Sequence, residues 1–177
     1  RIGVVFGGID FYPLKKLSAI TAVTRNFYRN WDQARYQKYI RHFALDESKK
    51  FKELSNGMKV KYLLALALSH HAELLILDEP TSGLDPVSRE ELLHIFRQTV
   101  KNEECSILFS THITSDLDRC TDDITYIQNG RVLLSADKDT FLRSFAHLKT
   151  SDDTNPLTLE EIMLRTERSE WDDDFTV

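Results

Sequence analysis

The sequence predicts an α/β fold, a parallel sheet covered by helices, and three observations point there. Short apolar runs alternate with helical stretches in the second half of the chain, in the order "ELLIL" (73–77), a helix from Pro86, and "CSILFS" (105–110). Strand, helix and strand in succession imply parallel pairing. The first of those strands runs straight into two adjacent acids, Asp78 and Glu79, and then Pro80. At 177 residues, 41% apolar and 29% charged, the chain is long enough for one real core and has an ordinary globular composition.

The elements follow in order. "IGVVF" (2–6) reads as a short buried strand, and the glycines and proline of "GGIDFYP" (7–13) mark a loop. From Ser18, a suitable N-cap, a helical pattern places Ile20, Val23, Phe27 and Trp31 on one face. Asp32 is suited to cap a second helix carrying Tyr36, Tyr39, Ile40 and Phe43. "LDESKKFKELSNG" (45–57) is charged and aperiodic, a linker, and a third helix runs on from about Met58. Asp85 caps and Pro86 opens the helix bearing Leu92, Leu93, Ile95, Phe96 and Val100. A short helix is expected near 114–120. Asn129-Gly130, between two apolar runs, is a strong hairpin signal over 124–136. A helix from about Asp137 to Phe145 closes the ordered part, and 147–177 reads as a polar tail with one amphipathic patch, "LTLEEIML". The sheet is expected to contain 2–6, 73–78, 105–110 and the hairpin.

Composition excludes several classes. A net charge of −5 argues against a protein that coats nucleic acid. The longest apolar run, "YLLALAL" at 62–68, is far short of the roughly 20 residues that span a bilayer. Cys105 and Cys120 make no disulfide framework. Zinc would need His112 and a fourth ligand at irregular spacing, so the two read as ordinary thiols.

Chemistry enters at the acid pair. A carboxylate pair at the end of a buried strand is costly unless a cation lies beside it, and that end is where α/β sheets place ligands. Asp78 is suited to hold magnesium. Glu79, with the strand stopped by Pro80, can face a water as a general base. Alone, the pair is an ordinary strand-to-loop junction. Other features accompany it. "LSNGMK" (54–59) puts Ser55 and Gly57 at a helix start, where exposed amides favour anions; alone, Ser55 is a common helix cap. Ser82 and Asp85 follow in "SGLDP", and His112 lies just past the next strand in "STHIT". A neutral imidazole there can donate one hydrogen bond to a phosphate oxygen; alone, it is a surface histidine.

In order and spacing these segments resemble the nucleotide-binding domain of ABC transporters, the ATP-binding cassette. "LSNGM" is similar to the family signature LSGGQ, departing at Asn56 and Met58; "LLILDEP" is similar to Walker B, "SGLD" to the D-loop and "THI" to the switch histidine loop. The resemblance covers roughly 1–145 and extends to bacterial exporters of the drug, bacteriocin and lantibiotic type. It implies a P-loop NTPase (RecA-like) core over 1–9 and 67–146, with an inserted helical subdomain over 10–66 carrying the signature. The cofactors it implies are ATP and Mg2+: Asp78 on the metal, Glu79 polarising water, His112 at the γ-phosphate, and Ser55, Gly57, Ser82 and Asp85 binding nucleotide. The implied partners are a second ATPase subunit, as homodimer or heterodimer, and a transmembrane permease that holds the protein at the cytoplasmic face. No nucleic acid is implied.

Two departures matter. The phosphate loop G-x-x-x-x-G-K-[ST] has no match. The six glycines stand at 3, 7, 8, 57, 83 and 130; Gly3 and Gly8 are rightly spaced, but Ile9 and Asp10 stand where Lys and Ser/Thr belong. The chain opens in mid-strand on "RIGVVF", so it is expected to be a cassette lacking its N-terminal part, inactive by itself. The family's Q-loop glutamine aligns with Gly7, with Asp10 the nearest polar group. Two alternatives stay open: a soluble ABC ATPase of translation or repair, and a non-catalytic relic or regulatory subunit.

Overall fold

A computed structural model describes residues 2–6, 12–103, 105–150, 153 and 155–174, with backbone only for 103 and 168–174. The chain divides into two compact units, 1–112 and 113–177.

In the first unit, β1 (Ile2–Phe6), β2 (Leu74–Asp78) and β3 (Ser106–Ser110) form a parallel sheet in the order β1-β2-β3. Phe6 pairs with Asp78, and Asp78 with Ser110, so all three strands end on one rung. Alternation gives the sheet two faces. Val5, Leu75 and Leu77 are buried on one. Ile2, Val4, Phe6 and Leu108 are exposed on the other. Between the strands lie α1 (Leu17–Thr24), α2 (Gln33–His42), α3 (Asn56–Leu68) and α4 (Pro86–Glu103).

The caps are local chemistry. Asp32 accepts from the Arg35 amide at 2.9 Å, Ser55 from that of Met58 at 3.3 Å, and Asp85 from those of Val87 and Ser88 at 3.1 and 3.0 Å. α3 is buried along Leu64–Leu68, which is why its apolar residues run all round it. Gly3 lets it approach: an added Cβ would stand 2.9 Å from Ala67 Cβ and 2.7 Å from Leu75 Cδ2. A buried polar hub ties the helices together. Thr21 Oγ1 meets the Tyr36 hydroxyl at 2.7 Å and the Tyr62 hydroxyl at 2.9 Å, and Tyr62 donates to Leu17 O at 3.0 Å. Burial pushes both phenols upward in pKa, so they stay neutral donors.

Ser18 does not cap the first helix, which already begins at Leu17 after Lys16, and Trp31 does not continue it. That helix gives way to a 3-10 turn over Arg25–Phe27, and Trp31 instead packs its ring 5.3 Å from Tyr36.

The second unit holds α5 (Thr114–Cys120), β4 (Asp123–Gln128), β5 (Arg131–Asp137), α6 (Lys138–Ser144) and α7 (Leu159–Asp174). Asn129 and Gly130 take φ of 48° and 73°, the left-handed pair of a type I′ hairpin turn. Two expectations are corrected here. The hairpin forms its own antiparallel sheet rather than joining the parallel one. The stretch 147–177 is not simply a polar tail, because Leu157, Leu159 and Ile162 are buried with Ile124, Tyr126 and Phe141 in one apolar core. A helix with that much apolar surface gains more by packing than by solvation. Arg165 clamps it, donating to Asp153 Oδ1 at 2.7 Å and to Leu148 O at 2.9 Å.

Candidate active site

The site is built at the C-terminal end of β2. Its last residue, Asp78, is exposed, and Ser110, the last residue of β3, stands beside it on the same rung. The Ser110 hydroxyl donates to Asp78 Oδ1 at 2.7 Å and accepts from the Glu79 amide at 3.0 Å. Glu79 has φ of 45°, a left-handed conformation costly for a residue with a side chain and disfavoured before proline. Such strain persists only where the surroundings enforce it. Here the enforcing contacts are the Ser110 bond and the turn that follows, in which the Ser82 amide donates to Glu79 O at 3.1 Å.

His112 Nδ1 lies 2.9 Å from Glu79 Oε1. A carboxylate only accepts, so Nδ1 carries the proton. The single N–H of the neutral ring is therefore engaged by Glu79, and a neutral His112 reaches phosphate as a donor only by leaving it. The other oxygen, Glu79 Oε2, is buried with no hydrogen-bond partner. A buried acceptor left unmade costs about 1–3 kcal/mol, so the position favours a donor such as water.

Of the residues singled out from sequence, Asp78, Glu79 and His112 come together. Ser55, Gly57, Ser82 and Asp85 sit on the adjoining segment. Ser55 caps α3 and Asp85 caps α4, and the Ser88 hydroxyl and amide hold the Asp85 carboxyl below its usual range. A Cβ on Gly57 would meet Ser88 Cβ at 3.5 Å and Leu84 Cδ2 at 3.7 Å, so the two helix starts lie side by side. One on Gly83, whose φ is 68°, would meet Asn56 Nδ2 at 3.9 Å, which brings the "SGLD" turn onto "LSNGM" of the same chain. Ser82 is exposed on that turn. Gly7 and Asp10 lie outside the described residues.

Ser110, which joins Asp78 and Glu79, is the polar side chain at this strand end that the sequence did not single out. The available signal was its place: Ser110 closes the strand after the one that ends in Asp78, two residues before His112.

The residues suit magnesium on chemical grounds. Carboxylate and hydroxyl oxygens are its preferred donors, and it binds through one or two carboxylates plus phosphate oxygens and water. Among the described residues, no group of three His, Cys, Asp or Glu side chains could hold a metal ion unaided. A cation here would accordingly be shared with a ligand.

Known proteins resemble this chain in sequence and in fold. The family model described as "AAA domain, putative AbiEii toxin, Type IV TA system" matches residues 10–117. The ABC transporter ATP-binding protein YtrB of Bacillus subtilis (strain 168) is 26% identical over 145 residues, 82% of this chain and 50% of YtrB. The lantibiotic transport ATP-binding protein SrtF of Streptococcus pyogenes is 40% identical over 88 residues, 50% of this chain and 38% of SrtF. A solved structure described as an ATP binding subunit of an ABC transporter superposes with a TM-score of 0.74 at 25% identity, covering 93% of this chain and 68% of that one. The chain belongs to this AAA domain family, and its sequence relatives are ABC transporter ATP-binding proteins. It spans half or less of the length of these two curated relatives. Among the described residues, no helix is long and apolar enough to cross a membrane.

Proposed function

We propose that the chain contributes the hydrolytic corner and signature segment of a Mg·ATP-hydrolysing subunit that powers export through a separate permease. The observation that carries this is Glu79. One carboxylate oxygen is held by His112, and the other is buried without a partner beside Asp78, at the end of a sheet strand. That is where a general base for water would stand.

In this reading Asp78 holds the metal, with one of its oxygens already fixed by Ser110. Bound magnesium would neutralise charge on the β- and γ-phosphates. Glu79 orients and polarises the attacking water, while His112 holds Glu79 and contacts the γ-phosphate on release. Residues 1–9 and 67–146 serve the ATPase core, and 10–66 the helical part that presents Ser55 and Gly57. With Ser82 and Asp85 these face nucleotide held by a second subunit, head to tail. Attachment to the permease keeps the assembly at the cytoplasmic face. A phosphate loop is required, and none of the 177 residues supplies one.

The test is Glu79→Gln in the product of the whole open reading frame. Nucleotide binding should persist while turnover falls by about 10² to 10⁴, the usual effect of removing a positioned base. Near-normal turnover would place the base elsewhere.

A further inference from the structure

We propose that Ser110 is a positioning residue of this site, one that presets both acids for metal and water through a single hydroxyl. The inference rests on the functional reading above and adds a residue to it. A serine hydroxyl has one proton to donate and lone pairs to accept with. Here both capacities are used on adjacent residues, with donation to Asp78 Oδ1 at 2.7 Å and acceptance from the Glu79 amide at 3.0 Å.

The two bonds fix different things. Donation to Oδ1 is a short, charge-assisted contact. It restrains rotation of the Asp78 carboxylate and so aims the second oxygen. Acceptance from the amide restrains the Glu79 backbone at φ of 45°, just before Pro80. With that backbone set, the carboxylate can reach His112 with one oxygen and keep the other buried. A loop residue could not do this as reliably, because loops shift. Ser110 is locked by strand register, as the pairing partner of Asp78. It is exposed at a strand end, so core packing does not require a serine there.

Outer contacts to a ligating carboxylate typically set metal affinity by 10- to 100-fold. The matched pair Ser110→Thr and Ser110→Val isolates the hydroxyl, since the two replacements share a shape and both suit a strand. In the whole protein with a non-hydrolysable ATP analogue, Mn2+ affinity is read by its paramagnetic signal. Metal-free nucleotide binding and thermal unfolding are measured alongside. Ser110→Thr should bind Mn2+ as the parent does. Ser110→Val should lose about 10- to 100-fold in Mn2+ affinity, with metal-free nucleotide affinity unchanged. Equal Mn2+ affinity in the Val and Thr variants would overturn the role of Ser110 alone. A parent protein that takes up no Mn2+ with nucleotide would remove the functional reading, and this inference with it.

Discussion

His112 Nδ1 is hydrogen-bonded to Glu79 Oε1 at 2.9 Å, so the side chains proposed to face water and the γ-phosphate start out joined to each other. The bond sets which ring nitrogen carries the proton and restrains the Glu79 carboxylate.

Removing that donor should therefore disable the base without emptying the site. His112→Ala in the whole protein is expected to lose roughly 10² in turnover, the scale for one preorganised donor, with nucleotide affinity close to that of the parent. Steady-state kinetics beside equilibrium nucleotide binding separates the two. An equal loss in both would make His112 a binding group rather than an orienting one.

Gly57 gives a test of the head-to-tail arrangement that its surroundings make clean. A Cβ there meets only ordinary contacts, at 3.5 and 3.7 Å, so Gly57→Ala should fold normally and serves as control. Gly57 is buried against Ser88 and Leu84, so thermal unfolding must first show that Gly57→Asp still folds; it then adds a negative charge at the place proposed for the phosphate. Like charges across such an interface cost several kcal/mol by order of magnitude. In the whole protein, ATP-driven dimerisation, followed by size-exclusion chromatography, should vanish in Gly57→Asp while its single subunit still binds ATP. Undiminished dimerisation would reduce "LSNGM" to a helix cap.

Gly3 is the contrasting glycine. Its added Cβ would stand 2.9 Å from Ala67 Cβ, which has no freedom to move aside, and 2.7 Å from the fully buried Leu75. Overpacking of this kind costs about 1–3 kcal/mol. Gly3→Ala should lower the denaturant midpoint accordingly, and an unchanged midpoint would show that α3 can give way.

Asp153 predicts a pH dependence in the second unit. The Arg165 guanidinium, and then the Thr150 amide, hold its carboxyl well below the usual carboxylate range. A depressed native pKa contributes stability that is present above the unfolded value of about 3.9 and is lost as pH falls through the native one. Asp153→Asn should thus lower the melting temperature at neutral pH, with the difference from the parent shrinking in strong acid. A constant difference down to the acid limit would assign the effect to lost packing.

What was legible in the sequence is what depends on near neighbours. Asp32, Ser55 and Asp85 could be read as caps because each acts on an amide at most three residues away. Asn129-Gly130 announced its turn because φ is set residue by residue. Asp78, Glu79 and His112 could be placed because strand ends are visible. The misses are long-range. Ser110 meets Asp78 across 32 positions, and Thr21 meets Tyr62 across 41. Leu157, Leu159 and Ile162 looked like a patch in a polar tail, since the core that buries them comes from residues 124–141.

That β2 and β3 end on one rung bears on which length changes this protein tolerates. The connection from Asp78 to Ser106 can be lengthened in its turns at modest entropic cost, about 0.6 kcal/mol for each doubling of a flexible loop. One residue added inside β3 is another matter. It would turn every later side chain of the strand to the opposite face, carrying the Ser110 hydroxyl away from Asp78 and leaving the Glu79 amide without its acceptor. Insertions and deletions should therefore accumulate in the connections and avoid the two five-residue strands, even though β3 is an outer strand of the sheet among the described residues.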